Sequence, residues 1–78
     1  MEDLMWVKDA KYLDGYRISV LFSDDIRKTV DLTNQLYGEV FEPLKDINKF
    51  KRFSVSDWTV EWENGADYAP EFLYQIGV

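Results

Sequence analysis

The clearest pattern in this chain is an alternation of apolar and polar positions with period two. Tyr16, Ile18, Val20 and Phe22 alternate with Arg17, Ser19, Leu21 and Ser23, the spacing of a strand with one buried face. Ser23-Asp24-Asp25 follows as turn chemistry, because Asp side chains bond nearby backbone amides. Ile26, Lys28, Val30 and Leu32 then alternate with Arg27, Thr29 and Asp31, so the two runs form a hairpin. Trp6 to Tyr12 is also rich in strand formers, and Asp14-Gly15 turns it into the second strand. The simplest reading of residues 5–32 is a three-stranded antiparallel meander.

The middle of the chain changes character. Thr33 is placed to cap a short helix running through Tyr37, with Gly38 at its left-handed end. Pro43 breaks any helix entering it. Asp46 is placed to cap a second short helix on which Ile47 and Phe50 share a face. Beyond Phe53 the period returns to two. Trp58, Val60 and Trp62 alternate with Thr59, Glu61 and Glu63, which predicts a strand with its aromatic face, Trp58 included, in the core. Asn64-Gly65 ends it in a turn, and Pro70 opens a final helical turn whose Phe72, Leu73 and Ile76 pack on the sheet. The order β-β-β-α-β-β-α, with strands and helices segregated, predicts an α+β fold built on a mostly antiparallel sheet carrying two or three short helices. No repeat or linker divides the chain, so residues 1–78 are read as a single domain.

Composition then narrows the function. With neither His nor Cys among 78 residues, disulfides, thiolate nucleophiles, Cys-ligated zinc and His-based acid–base catalysis are excluded within this chain. A non-enzymatic protein without a cofactor or metal is the expectation. The opening MEDLMWVKDAKYL lacks a basic region and an apolar stretch of signal-peptide type, and no apolar run approaches membrane-spanning length. A cytoplasmic protein is expected. The net charge of −6 argues against direct nucleic-acid binding, which needs Lys and Arg opposite phosphate, and favours a basic partner.

That charge is uneven. Lys45, Lys49, Lys51 and Arg52 cluster, and no basic residue follows them, whereas residues 53–78 hold Asp57, Glu61, Glu63, Asp67 and Glu71. Glu61 and Glu63, roughly 7 Å apart by strand rise, share one strand face near Asp67. They form a carboxylate site for a hard cation or small polar molecule, or a solvated face with Arg17 or Arg27 as cross-strand partners. In the competing interaction reading, aromatic anchors such as Trp6, Tyr68 and Tyr74 dock a protein partner while Glu61, Glu63, Asp67 and Glu71 steer the encounter. A homodimer through an exposed strand edge is the structural alternative.

The order of pieces carries a resemblance. Phe22-Ser23-Asp24 between two strands, Asp31-Leu32, Gly38-x-Val40-Phe41-x-Pro43-Leu44-x-Asp46 leading to Phe50, and Trp62-x-Asn64-Gly65-Ala66-Asp67 running into Pro70-Glu71-x-Leu73-Tyr74 resemble Domain of Unknown Function 2442, a family of small bacterial proteins. The resemblance implies an α+β fold and no established activity. It also implies an antitoxin-like role beside a second small protein. Its signature residues Trp62, Asn64, Gly65, Asp67, Pro70, Leu73 and Tyr74 are read as fold devices before site residues. Asp25 stands where the family usually has Gly.

Overall fold

The computed structural model describes residues 4–56 and 58–78. Alternation becomes structure first in β2 (Arg17–Phe22), where Ile18, Val20 and Phe22 are fully buried. It lies between β1 (Val7–Asp14) and β3 (Arg27–Asp31) in an antiparallel sheet of order β1-β2-β3. Ile18 faces Val30, while Val20 faces Lys28. A lysine on the core face is tolerated because its apolar stem covers the core while the ammonium reaches outward. Here the ammonium donates to the Tyr74 carbonyl at 3.0 Å and sits 3.8 Å from the centre of the Tyr74 ring.

The β2–β3 connection explains the Asp in place of Gly. The Asp25 amide donates to the Phe22 carbonyl and the Phe22 amide to the Ile26 carbonyl, with Asp25 at φ 68°. This is a three-residue loop ending in a left-handed residue, and Asp accepts that conformation better than most side chains. Asp24 tightens it by accepting from the Ile26 amide at 3.0 Å.

After β3 the structure departs from the pattern. No helix forms over residues 33–37. Asp31 accepts from both the amide (2.9 Å) and the hydroxyl (2.6 Å) of Thr33, so the hydroxyl expected to cap a helix is held by the residue that turns the chain. The segment then sends Leu36 into the core. Gly38 does adopt positive φ, at 92°, and its carbonyl receives the Phe41 and Glu42 amides. A 3-10 turn over Glu42–Lys45 leads into α1 (Ile47–Phe50), capped as the sequence predicts by Asp46 accepting from the Asn48 amide at 2.9 Å.

Two further strands, β4 (Ser54–Ser56) and β5 (Thr59–Glu61), form a separate antiparallel pair, and α2 (Pro70–Ile76) starts at its proline. The α+β architecture is as the alternation predicts, with the strands divided between two sheets. Phe50 and Trp62 link the two sheets: Tyr12 of β1 and Tyr16 just before β2 approach the Phe50 ring edge-on, and the Trp62 ring, one residue past β5, lies 5.6 Å from it. The carbonyl of Phe50 accepts the Trp62 indole N–H at 2.7 Å in a buried bond. Among the described residues no helix is long and apolar enough to cross a membrane.

Candidate functional site

The three tryptophans meet different fates. Trp62 is buried, with Phe50, Phe53 and Tyr68 around its ring. Trp6 and Trp58 are 43% and 56% exposed. Neither has an aromatic partner, a cation over its ring or a bond from its indole N–H among the described residues. The expectation that Trp58 lies in the core is therefore corrected. Strand β5 begins one residue later, so Trp58 stands in the connection from β4. Val60 and Trp62 keep the predicted inward phase. Thr59 is buried as well, because the segment before α2 covers it and its hydroxyl donates to the Tyr68 carbonyl at 2.7 Å.

Backbone bonds hold the two exposed indoles on one side of the molecule. The Val7 amide donates to the Trp58 carbonyl at 2.8 Å, which joins the start of β1 to the start of β5. One residue earlier, the Trp6 amide donates to the Ser23 hydroxyl and the Trp6 carbonyl accepts from the Ser23 amide. Leu4 (65% exposed) and Met5 line two adjoining hollows, one with Trp6, Ser23 and Asp24, the other with Trp58, Pro70 and Glu71. Trp58 and Pro70 also line a third hollow, of about 310 Å³, shared with Glu61, Asp67 and Tyr68. The result is a run of adjoining hollows, apolar around Leu4, Met5, Trp58 and Pro70 and more polar toward Thr59, Glu61 and Asp67, with Asp24 and Glu71 also on their walls. No Lys or Arg is among the described residues lining these three hollows.

This arrangement brings together Trp6, Glu61, Asp67, Tyr68 and Glu71 of the residues singled out from sequence, and adds Trp58 and Leu4. It separates Glu63, which lies past the end of β5 and lines another hollow of about 430 Å³ with Pro43, Leu44, Lys49, Arg52 and Asn64. Glu61 instead bridges to Asp67. The cross-strand arginines are not there either: Arg17 pairs with Asp14 and Arg27 with Asp9, both on the other sheet. Among the described residues, no group of three or more His, Cys, Asp or Glu is placed to hold a metal ion.

Tyr68 and Tyr74 have their hydroxyls committed inside the molecule. Tyr74 donates to Asp24 at 2.8 Å, and its ring meets Phe22 edge-on. That bond raises the Tyr74 hydroxyl above its ordinary pKa. Partial desolvation pushes the Asp24 carboxyl up, but the bonds from Tyr74 and the Ile26 amide outweigh it and the pKa ends below the ordinary value. Tyr68 stacks against Phe41 and Phe72 and donates to the Gln35 carbonyl at 2.8 Å. Burial pushes its hydroxyl up to about 12. An unfolded tyrosine ionises near 10, so between about pH 10 and 12 the unfolded chain has released a proton the native state keeps. The stability this group contributes is complete below pH 10 and is lost as pH rises through that window. The urea midpoint of Tyr68→Phe is expected to fall less steeply over this range than that of the parent chain, and parallel declines would contradict the assignment.

Two of the signature residues, Asn64 and Gly65, shape the turn after β5. Asn64 accepts from the Ala66 amide and donates to the Val40 carbonyl at 2.8 Å, tying the turn to the segment before α1. Gly65, at φ 88°, lets the Trp62 amide close on the Ala66 carbonyl. Sequence reasoning placed Trp58 in the core because alternation continued through it.

These features define a small α+β domain whose distinctive surface is aromatic and acidic. A family model described as protein of unknown function (DUF2442) matches residues 7–77, and the chain belongs to that family. No curated protein and no solved structure matches it.

Proposed function

We propose that this chain is a non-enzymatic protein-binding module that docks a small basic protein, as the antitoxin-like member of such a pair. The observation that carries this reading is the pair of exposed, unpartnered indoles, Trp6 and Trp58, on one surface edged by carboxylates. Exposed tryptophan is costly to leave in water and is enriched where binding energy concentrates. The four ion pairs among the described residues take up Asp9, Asp14, Asp25 and Glu42. The carboxylates of Glu61, Asp67 and Glu71 remain available to attract positive charge. The division of labour is aromatic contact for affinity and carboxylates for encounter rate.

The test is retention of a basic protein from the native host on the tagged chain, followed by kinetics with the purified pair. Association is expected to slow about tenfold or more between low and high salt, and to slow similarly in Glu61→Lys/Glu71→Lys. Trp58→Ala is expected to weaken binding roughly thirtyfold, mainly through faster dissociation. A captured protein whose binding ignores salt and both variants would contradict the proposal.

A further inference from the structure

We propose that this surface reads arginine: the partner segment it takes presents guanidinium groups, and lysine at the same positions serves poorly. The inference rests on the binding role proposed above and specifies the chemistry of the partner.

Elsewhere the molecule supplies cations to its own rings, Lys28 over Tyr74 at 3.8 Å and Lys51 near Tyr12 at 5.9 Å. Trp6 and Trp58 have none, although indole is the ring that attracts a cation most strongly. Trp58 stands between carboxylates that lack an ion pair among the described residues, Glu71 on one side and Glu61 with Asp67 on the other, whereas the Asp24 oxygens near Trp6 are already taken by the Ile26 amide and the Tyr74 hydroxyl. A flat ring adjoining a carboxylate favours a planar cation. Guanidinium stacks on the indole face and turns its edge N–H groups toward the carboxylate in a two-point bond. The chain shows that two-point geometry in its own Arg17, which donates twice to Asp14 at 2.8 Å each.

Ammonium cannot do both. It is a compact, strongly hydrated charge, and Leu4, Met5 and Pro70 around the rings offer nothing to replace the water it would lose. Guanidinium is more weakly hydrated, so an apolar floor penalises it less.

The experiment titrates the full chain with short peptides alternating Ser with Arg, or Ser with Lys, at equal length and charge. Binding is followed by tryptophan fluorescence and calorimetry at two salt concentrations. The arginine peptide is expected to bind about tenfold more tightly. Trp58→Ala, at an exposed position with little role in folding, is expected to abolish that preference, and Trp58→Phe to restore part of it. Equal, salt-sensitive binding of both peptides overturns the arginine inference and leaves the basic-partner reading standing. Failure of both peptides to bind overturns the two together. A preference that survives Trp58→Ala overturns Trp58 as its source.

Discussion

Trp62→Ala is expected to remove about 4 kcal/mol of stability, the usual cost of truncating a buried large aromatic side chain. For a chain of this length the whole stability is on the order of 4–12 kcal/mol, so a large part of the population unfolds at room temperature in weak denaturant. Two losses combine. The indole fills the space between Phe50, Phe53 and Tyr68, and alanine leaves a cavity there. Its N–H also satisfies the buried Phe50 carbonyl, which would be left without a partner. Trp62→Phe separates the two: it keeps most of the packing and loses the bond, and is expected to cost about 1–3 kcal/mol. Urea unfolding followed by far-ultraviolet circular dichroism reads both. If the alanine variant unfolded at the same midpoint as the phenylalanine variant, Trp62 would not be the junction of the two sheets.

Much of that junction is legible in the sequence. Strands β2 and β3 follow from alternation, because a sheet with one buried face forces period two on its residues, and β1 follows from its strand-forming residues and the Asp14-Gly15 turn. Asp46 and Pro70 announce α1 and α2 because both act through local bonds and backbone angles that need no tertiary context. The expectations that fail involve competition between neighbours or coverage from afar. Thr33 has the chemistry of a helix cap, but Asp31 two residues before it is a stronger acceptor and takes its hydroxyl. Trp58 continues the β5 alternation in register but falls outside the strand, where nothing covers it. Glu61 and Glu63 share strand parity, yet the strand ends between them and they enter different hollows. Trp6 and Glu71 were legible as surface residues. Their meeting beside Trp58 was not, because it depends on β1 joining β5 through a backbone bond between residues 51 positions apart.

Gly77→Ala is expected to destabilise the protein by about 1–3 kcal/mol, the range for overfilling a packed site, and to uncover the edge of the first sheet. Backbone conformation alone argues the opposite sign. Gly77 sits at φ −72°, ψ 152°, angles that alanine adopts freely, and such a replacement ordinarily stabilises by about 0.4–1 kcal/mol through the unfolded chain. Space decides the matter. A β-carbon at residue 77 would lie 2.8 Å from the Lys28 β-carbon and 3.1 Å from the Leu73 carbonyl oxygen, both fixed by the backbone, so neither can swing aside. The close approach exists because residue 78 pairs with the outer edge of β3: the Thr29 amide donates to the Val78 carbonyl and the Val78 amide to the Thr29 carbonyl, each at 3.0 Å. A side chain on residue 77 pushes this pairing apart and leaves β3 with unpaired backbone groups, the condition under which strand edges recruit other chains. Three measurements follow. The urea midpoint should fall, and hydrogen exchange at the Thr29 amide should accelerate well beyond what the loss of global stability accounts for. Sedimentation at rising concentration should show stronger association than in the parent chain. A variant with the parent's midpoint and a protected Thr29 amide would mean that the tail contact yields to a methyl group and that β3 is closed by something other than residues 77 and 78.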